Sequence, residues 1–158
     1  MNRSYAQIRA RIDKAAQAAG HRAHLLAVSK TKPAAAIREL AAQGQRAFGE
    51  NRVQEALAKQ RELTDLDLEW HLIGPLQSNK CREAALHFDW LQSLDREKLL
   101  EPLNRFRPAD APPLNVLVQV NVDAEASKSG CAPEAVPALA RTIAQFPRLR
   151  LRGLIAIP

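Results

Sequence analysis

The chain has 158 residues, 46% hydrophobic and 25% charged, with a formal net charge of +6. It is long enough for one globular domain with a real core, and no run of about 18 apolar residues argues for a membrane span. Its basic residues are interleaved with acids, as in "RELTDLDLE" and "LDREKLLE", and aromatics are only 4%, which argues against a stacking platform or basic stripe for nucleic acid. The opening "MNRSYAQIRARIDKAAQAAG" is charged throughout, lacks the apolar centre of a secretory signal, and carries Asp13, which a transit peptide would avoid. Cys81 and Cys131 have no metal-ligand spacing and are too few for a disulfide framework. The cytoplasm is the expected compartment.

Residues 3–19 read as a helix with Ile8, Ile12, Ala15, Ala16 and Ala19 on one stripe, stopped by Gly20. "HLLAVS" follows as a strand, then a helix over 33–43 ended by Gly44, then "RAFG" as a short strand. A helix over 51–63, the strand "EWHLIG" and a helix over 78–87 come next. "DWLQSL" is strand-like, 95–106 helical, and "LNVLVQVNV" is the clearest strand, with four valines. A helix over 133–146 and the strand "LRLRGLIAI" complete the pass. Strands starting near 24, 46, 69, 88, 115 and 150 thus alternate with helices, the pattern of a parallel α/β sheet with near-continuous apolar strands. A (β/α)₈ barrel has eight strands and typically ~250 residues. The chain therefore reads as one domain, 1–158, holding about six of eight βα units and ending after strand 6. No G-x-G-x-x-G follows the first strand, so a Rossmann reading is weak.

Polar residues recur at the C-terminal ends of these strands: Ser29 and Lys30, then Gly49, Glu50 and Asn51, then His71 and Gly74–Pro75, then Ser93 and Asp95, then Asn121 and Asp123 before "AEASKSG". Ligands bind at this edge in parallel α/β folds. In the fifth strand Val116, Val118, Val120 and Val122 share one face and Leu117, Gln119 and Asn121 the other. In a barrel the valines would meet the helices and the amides would point inward. "LLAVSKTKP" delivers two lysines to the same edge, and a desolvated lysine amine is a nucleophile that forms Schiff bases with aldehydes. Period two puts Lys30 and Lys32 on the same side, so pattern alone does not choose between them. Pro33 fits the first helical position, which makes Lys32 the N-cap and Lys30 the strand end. Asp65, Asp67 and Glu69 precede the third strand and read as solvated loop charge. His21 and His24 straddle a helix end rather than forming a metal site.

"LLAVSKTKP", "FGENRVQEALAK", "EWHLIGPLQSNK", "PPLNVLVQVNVDAEASKSG" and "LRLRGLIAIP" resemble, in order and in register over essentially the whole chain, the motifs of the YggS/PROSC family of pyridoxal 5′-phosphate (PLP) homeostasis proteins. The resemblance implies the alanine-racemase-type TIM barrel of PLP fold type III. It implies that Lys30 holds PLP as an internal aldimine, and that the protein carries, buffers and delivers PLP without catalytic turnover. It further implies that Asn51 stands beside the cofactor ring and that His71 and Gly74 line the ring pocket. Ser78, Asn79 and Lys80 match the loop and helix start after strand 3. Asn121 is expected at the pocket mouth by the strand-5 pattern, and Lys128 matches a loop lysine there. PLP-dependent apoenzymes are the implied recipients, with a monomer or weak dimer and neither nucleic acid nor membrane as partner. Ile155 stands where the family often has Met, a volume-conserving change, and Arg52 follows "GEN" where other members often differ. The family's segments after "AIP", which supply the phosphate cup, have no counterpart in these residues. An amino-acid racemase is the main alternative. It needs an acid/base on each cofactor face, often a tyrosine, and Tyr5 lies on the first helix. An aldolase-like Schiff-base enzyme and a scaffold that binds no cofactor are further alternatives.

Overall fold

The computed structural model describes residues 2–124 and 129–157. Its elements run α1 (Asn2–Ala19), β1 (Ala27–Val28), α2 (Ala34–Ala42), β2 (Ala47–Glu50), α3 (Val53–Glu62), β3 (Glu69–Leu72), α4 (Cys81–His87), β4 (Trp90–Leu94), α5 (Leu100–Phe106), β5 (Leu114–Val120), α6 (Val136–Ile143) and β6 (Leu149–Ala156). Short 3₁₀ turns lead into α4, α5 and α6. The strands form one parallel sheet in chain order, β1-β2-β3-β4-β5-β6. Each crossover contains a helix, as the expected alternation required, and the arrangement is a partial α/β TIM barrel.

Register sorts the side chains. Glu50, Leu72, Leu91, Val116 and Leu151 pair successively across the sheet on its helix side. Gly49, His71, Trp90, Asn115 and Arg150 pair successively on the opposite, inner side. The helix side is the core. Phe48, Leu72, Leu91, Leu94, Val116 and Val118 are fully buried there. At about 25 cal/mol per Å² such burial is the main favourable term for the fold. Of the four valines expected on one face, three are buried; Val122 is 54% exposed because β5 ends at Val120.

Other departures have local causes. The first strand has only two residues, Ala27 and Val28, and its pairing extends through Ser29 N donating to Gly49 O at 2.9 Å. The half-buried stripe of α1 is Tyr5, Arg9, Ile12 and Ala16; Ile8, Ala15 and Ala19 are exposed. Tyr5 fixes this stripe, because its hydroxyl donates to Gln45 Oε1 at 2.8 Å. Gln45 in turn donates to Leu25 O and Ala47 O, tying α1 to the N-terminal ends of β1 and β2. Gly20 and Gly44 end their helices at φ +77 and +105, the left-handed region that glycine enters without a Cβ penalty.

Candidate functional site

The C-terminal edge of the sheet begins with a tight turn. Lys32 N donates to Ser29 O at 3.1 Å, which places Lys30 and Thr31 at the turn's two central positions. Pro33 is itself the N-cap of α2, so Lys32 stands one residue outside the helix instead of capping it, as the last residue of the turn. Thr31 has φ 65. A β-branched residue in that region carries strain of about 1–3 kcal/mol unless its surroundings enforce it.

Helix α3 does enforce it. Thr31 N donates to Glu55 Oε2 at 2.7 Å. Lys59, one helical turn further, is buried, and its Nζ donates to Ser29 O at 2.8 Å, to both carboxylate oxygens of Glu50 at 3.0 Å and to Glu55 Oε2 at 2.7 Å. The hydroxyl of Ser29 donates to Glu50 Oε2. Glu50 is completely buried on the helix side of β2, so it does not face the ligand edge where its position at the strand end had suggested. Lys59 and then the Thr31 amide hold the Glu55 carboxyl below the usual carboxylate range. Sequence reading missed Lys59. The available signal was the Glu55–Lys59 spacing of four on a helix beside a strand ending in Glu50.

Lys30 is exposed. It stands two residues beyond Val28, the last residue of β1, whose side chain is on the inner side, and among the described residues it has no hydrogen bond or ion pair. Asn51 follows β2 directly and is half-buried against Gly74: a Cβ on Gly74 would lie 2.2 Å from Asn51 O and 2.4 Å from Asn51 Oδ1. Only glycine permits that approach. A cleft of about 580 Å³ opens beside this pair, lined by Asn51, Arg52, Val53, Gln54, Pro75, Gln77 and Lys80. Ser78 is exposed and starts the 3₁₀ turn before α4. Asn121 is half-buried at the end of β5, four strands along the sheet from Lys30. Its backbone N–H donates to Cys131 O at 2.8 Å. Gly130 N donates to Asp95 Oδ2 at 2.9 Å, joining the loops after β4 and β5. Lys128 lies outside the described residues.

His71 occupies the inner side level with Gly49 and, across β2, with Val28, the last residue of β1. Its ring stacks on Trp90 at a centroid distance of 5.2 Å. Burial drives its pKa below the ordinary value, against the opposing pull of Glu69. The neutral ring then has one arrangement that fits both neighbours. Nε2–H donates to Glu69 Oε1 at 2.7 Å, and Nδ1 accepts from Gln92 Nε2 at 2.9 Å. Glu69 is thus a histidine partner, where the sequence had suggested loop charge. Arg152 lies 5.1 Å over the other ring contact, Trp90, and donates to Asn115 Oδ1 at 3.2 Å. His71, Glu69, Gln92, Trp90, Asn115 and Arg152 thus form a connected polar-aromatic layer on the inner side.

The model of the alanine racemase N-terminal domain matches residues 4–158. The chain belongs to that family. A pyridoxal phosphate homeostasis protein of Pseudomonas aeruginosa is 63% identical over 156 residues, covering 97% of this chain and 68% of its own length. The protein of the same description from Escherichia coli K12 is 54% identical over 159 residues, with 97% and 68% covered. Among solved structures, PipY of Synechococcus elongatus with PLP bound superposes with a TM-score of 0.77 at 48% identity. It covers 85% of this chain and 63% of PipY, so the chain spans a little under two thirds of that relative. Alanine racemase of Corynebacterium glutamicum, at 18% identity and TM-score 0.64, shares the fold. The resemblance to the YggS/PROSC group and the partial barrel both stand on these matches.

Proposed function

We propose that this chain binds PLP, with Lys30 as its covalent anchor, and serves PLP homeostasis in the cytoplasm by holding and releasing the cofactor to apoenzymes without turning over a substrate. The observation that carries the reading is Lys30 itself. Among the described residues it is an unpaired, exposed lysine at the sheet's C-terminal edge, in a turn whose flanking peptides are both held. The residues present suit the aldehyde end of the cofactor: the amine is accessible, and the close Gly74–Asn51 contact fixes Asn51 at the end of β2. When bound, PLP supplies an electrophilic aldehyde that joins a lysine as a Schiff base, releasing water. Asn51 is suited to orient the ring, Asn121 to line the mouth from the β5 side, and Ser78 and Lys128 to meet the cofactor from the loops. His71 supports the pocket floor from below.

Within these 158 residues the single tyrosine, Tyr5, is not placed to act as a racemase acid or base. It is bonded to Gln45 at the N-terminal end of the strands, the end opposite Lys30, and cannot serve as an acid or base on the cofactor. The names of the bacterial relatives, homeostasis proteins, point the same way. Titrating the protein with PLP tests the reading. A visible absorption band that forms in wild type and in Lys32→Ala but not in Lys30→Ala is the expected result, with no racemisation of L-alanine by the loaded protein. A band that survives Lys30→Ala refutes the anchor; racemisation refutes the carrier.

A further inference from the structure

We propose that Glu55, braced by Lys59 and Glu50, is a positioning residue that sets the Lys30 turn for reaction with the PLP aldehyde. The proposal rests on Lys30 as the anchor.

Two peptide groups flank the Lys30 Cα, and one helix holds both. The carbonyl of the first, Ser29 O, accepts from Lys59 Nζ at 2.8 Å. The N–H of the second, Thr31 N, donates to Glu55 Oε2 at 2.7 Å. With both planes fixed, the direction of the Lys30 Cα–Cβ bond is fixed as well. Thr31 at φ 65 shows that the clamp enforces a conformation a β-branched residue disfavours. The brace is rigid. The side chain of Lys59 is 8% exposed and that of Glu50 fully buried, while Glu55, at 30%, is the member that reaches the turn.

Stability alone is a poor account of this cluster. A buried ion pair gains little over apolar residues of the same shape, and here three charged groups converge on the turn, with bonds to the backbone of Ser29 and Thr31. The geometry that results is specific to one lysine. Lys32 is exposed two residues further on, and among the described residues no side chain of the cluster bonds to its backbone. The clamp therefore selects Lys30 over Lys32, a choice that period-two alternation leaves open.

The test uses the full chain and two substitutions. Glu55→Ala removes the acceptor for Thr31 N–H; Glu55→Gln keeps an acceptor at the same reach and removes the charge. The protein without PLP is examined by amide hydrogen exchange at Thr31. With PLP and borohydride, the ratio of adduct on Lys30 to adduct on Lys32 is read by peptide mass spectrometry. In Glu55→Ala, exchange at Thr31 should rise about tenfold and the adduct ratio should fall about tenfold, the scale of one lost hydrogen bond to a charged group. Glu55→Gln, with a neutral and weaker acceptor, should recover part of both and leave a fall of about two- to fivefold in the ratio. Thermal unfolding of each variant separates these effects from global loss of fold. If Glu55→Ala does not fold, the Glu55→Gln ratio decides alone: a fall of about two- to fivefold at unchanged melting temperature supports the clamp, and an unchanged ratio overturns it. Unchanged exchange and ratio in a folded Glu55→Ala protein overturn the proposal alone. A wild-type chain without any Lys30 adduct overturns the reading beneath it.

Discussion

Replacing Gly74 by alanine puts the architecture around Asn51 under direct test. The added Cβ would stand 2.2 Å from Asn51 O, 2.4 Å from Asn51 Oδ1 and 2.9 Å from Asn51 Cγ. Carbon and oxygen in contact need roughly 3.2 Å or more, so about 1 Å of movement is required in a core packed at crystal-like density. The nearest obstacle is backbone, and that backbone leaves β2, whose last residue accepts from Ile73 N at 2.9 Å. Relief therefore means separating the ends of β2 and β3. Overpacking of this kind costs about 1–3 kcal/mol, and in a domain of this size each kcal/mol lowers the melting temperature by about 2–4 °C. Gly74→Ala should melt roughly 2–12 °C below wild type. Gly49→Ala is the internal control. Its Cβ would lie 3.2 to 3.4 Å from the side-chain ends of Leu26 and Ile73, which can give by a few tenths of an ångström, so its loss should be the smaller. Scanning calorimetry of the three proteins ranks them. A Gly74→Ala protein as stable as wild type, or more stable than Gly49→Ala, would refute the argument from steric exclusion.

Two further outcomes follow from charge. Lys59→Met leaves the fully buried Glu50 carboxylate without its cation and should cost about 3–5 kcal/mol in urea unfolding, most of it recovered in Glu50→Gln/Lys59→Met, since removing both partners of a buried pair is close to neutral; a double variant no better than the single one would contradict the ion-pair account. His71 has its pKa lowered, chiefly by burial. Below about pH 6.5 the unfolded chain then binds a proton that the native ring refuses, so stability is lost as pH falls from that value toward the folded pKa and levels off beneath it. Asp89, raised by burial, acts with the opposite sign further into acid, where the native state binds the extra proton. His71→Gln should flatten the profile just below pH 6.5 even though losing the Trp90 stack lowers stability at every pH; an unchanged slope in denaturant titrations at stepped pH would show that His71 is not the titrating group.

The periodic features of this chain were legible because each depends on a single segment. The alternation of apolar strands with helices, the valine face of β5 and the helix stops at Gly20 and Gly44 all appear where periodicity and backbone chemistry place them. The site was legible only to the level of an edge. Lys30, Asn51, Gly74 and Asn121 all stand at the C-terminal ends of strands or just beyond them. What the sequence concealed is pairing between segments. Glu50 follows Gly49 in the same strand yet faces the opposite way, and its partner Lys59 sits on the next helix. Glu69 looks like one of three loop acids until β3 brings it beside His71. The position of Pro33 differed by one residue because a four-residue turn intervenes between β1 and α2, and turn geometry at Thr31 has no signature in a β-branched residue.

The central claim is that Lys30 carries PLP, and mapping the trapped adduct tests it most directly. The wild-type protein is mixed with a stoichiometric amount of PLP, reduced with borohydride, digested and sequenced by mass spectrometry. The account predicts one dominant pyridoxyl-modified peptide, "AVSKTKP", with the label on Lys30. Label chiefly on Lys32, spread evenly over the surface lysines, or absent altogether would contradict it.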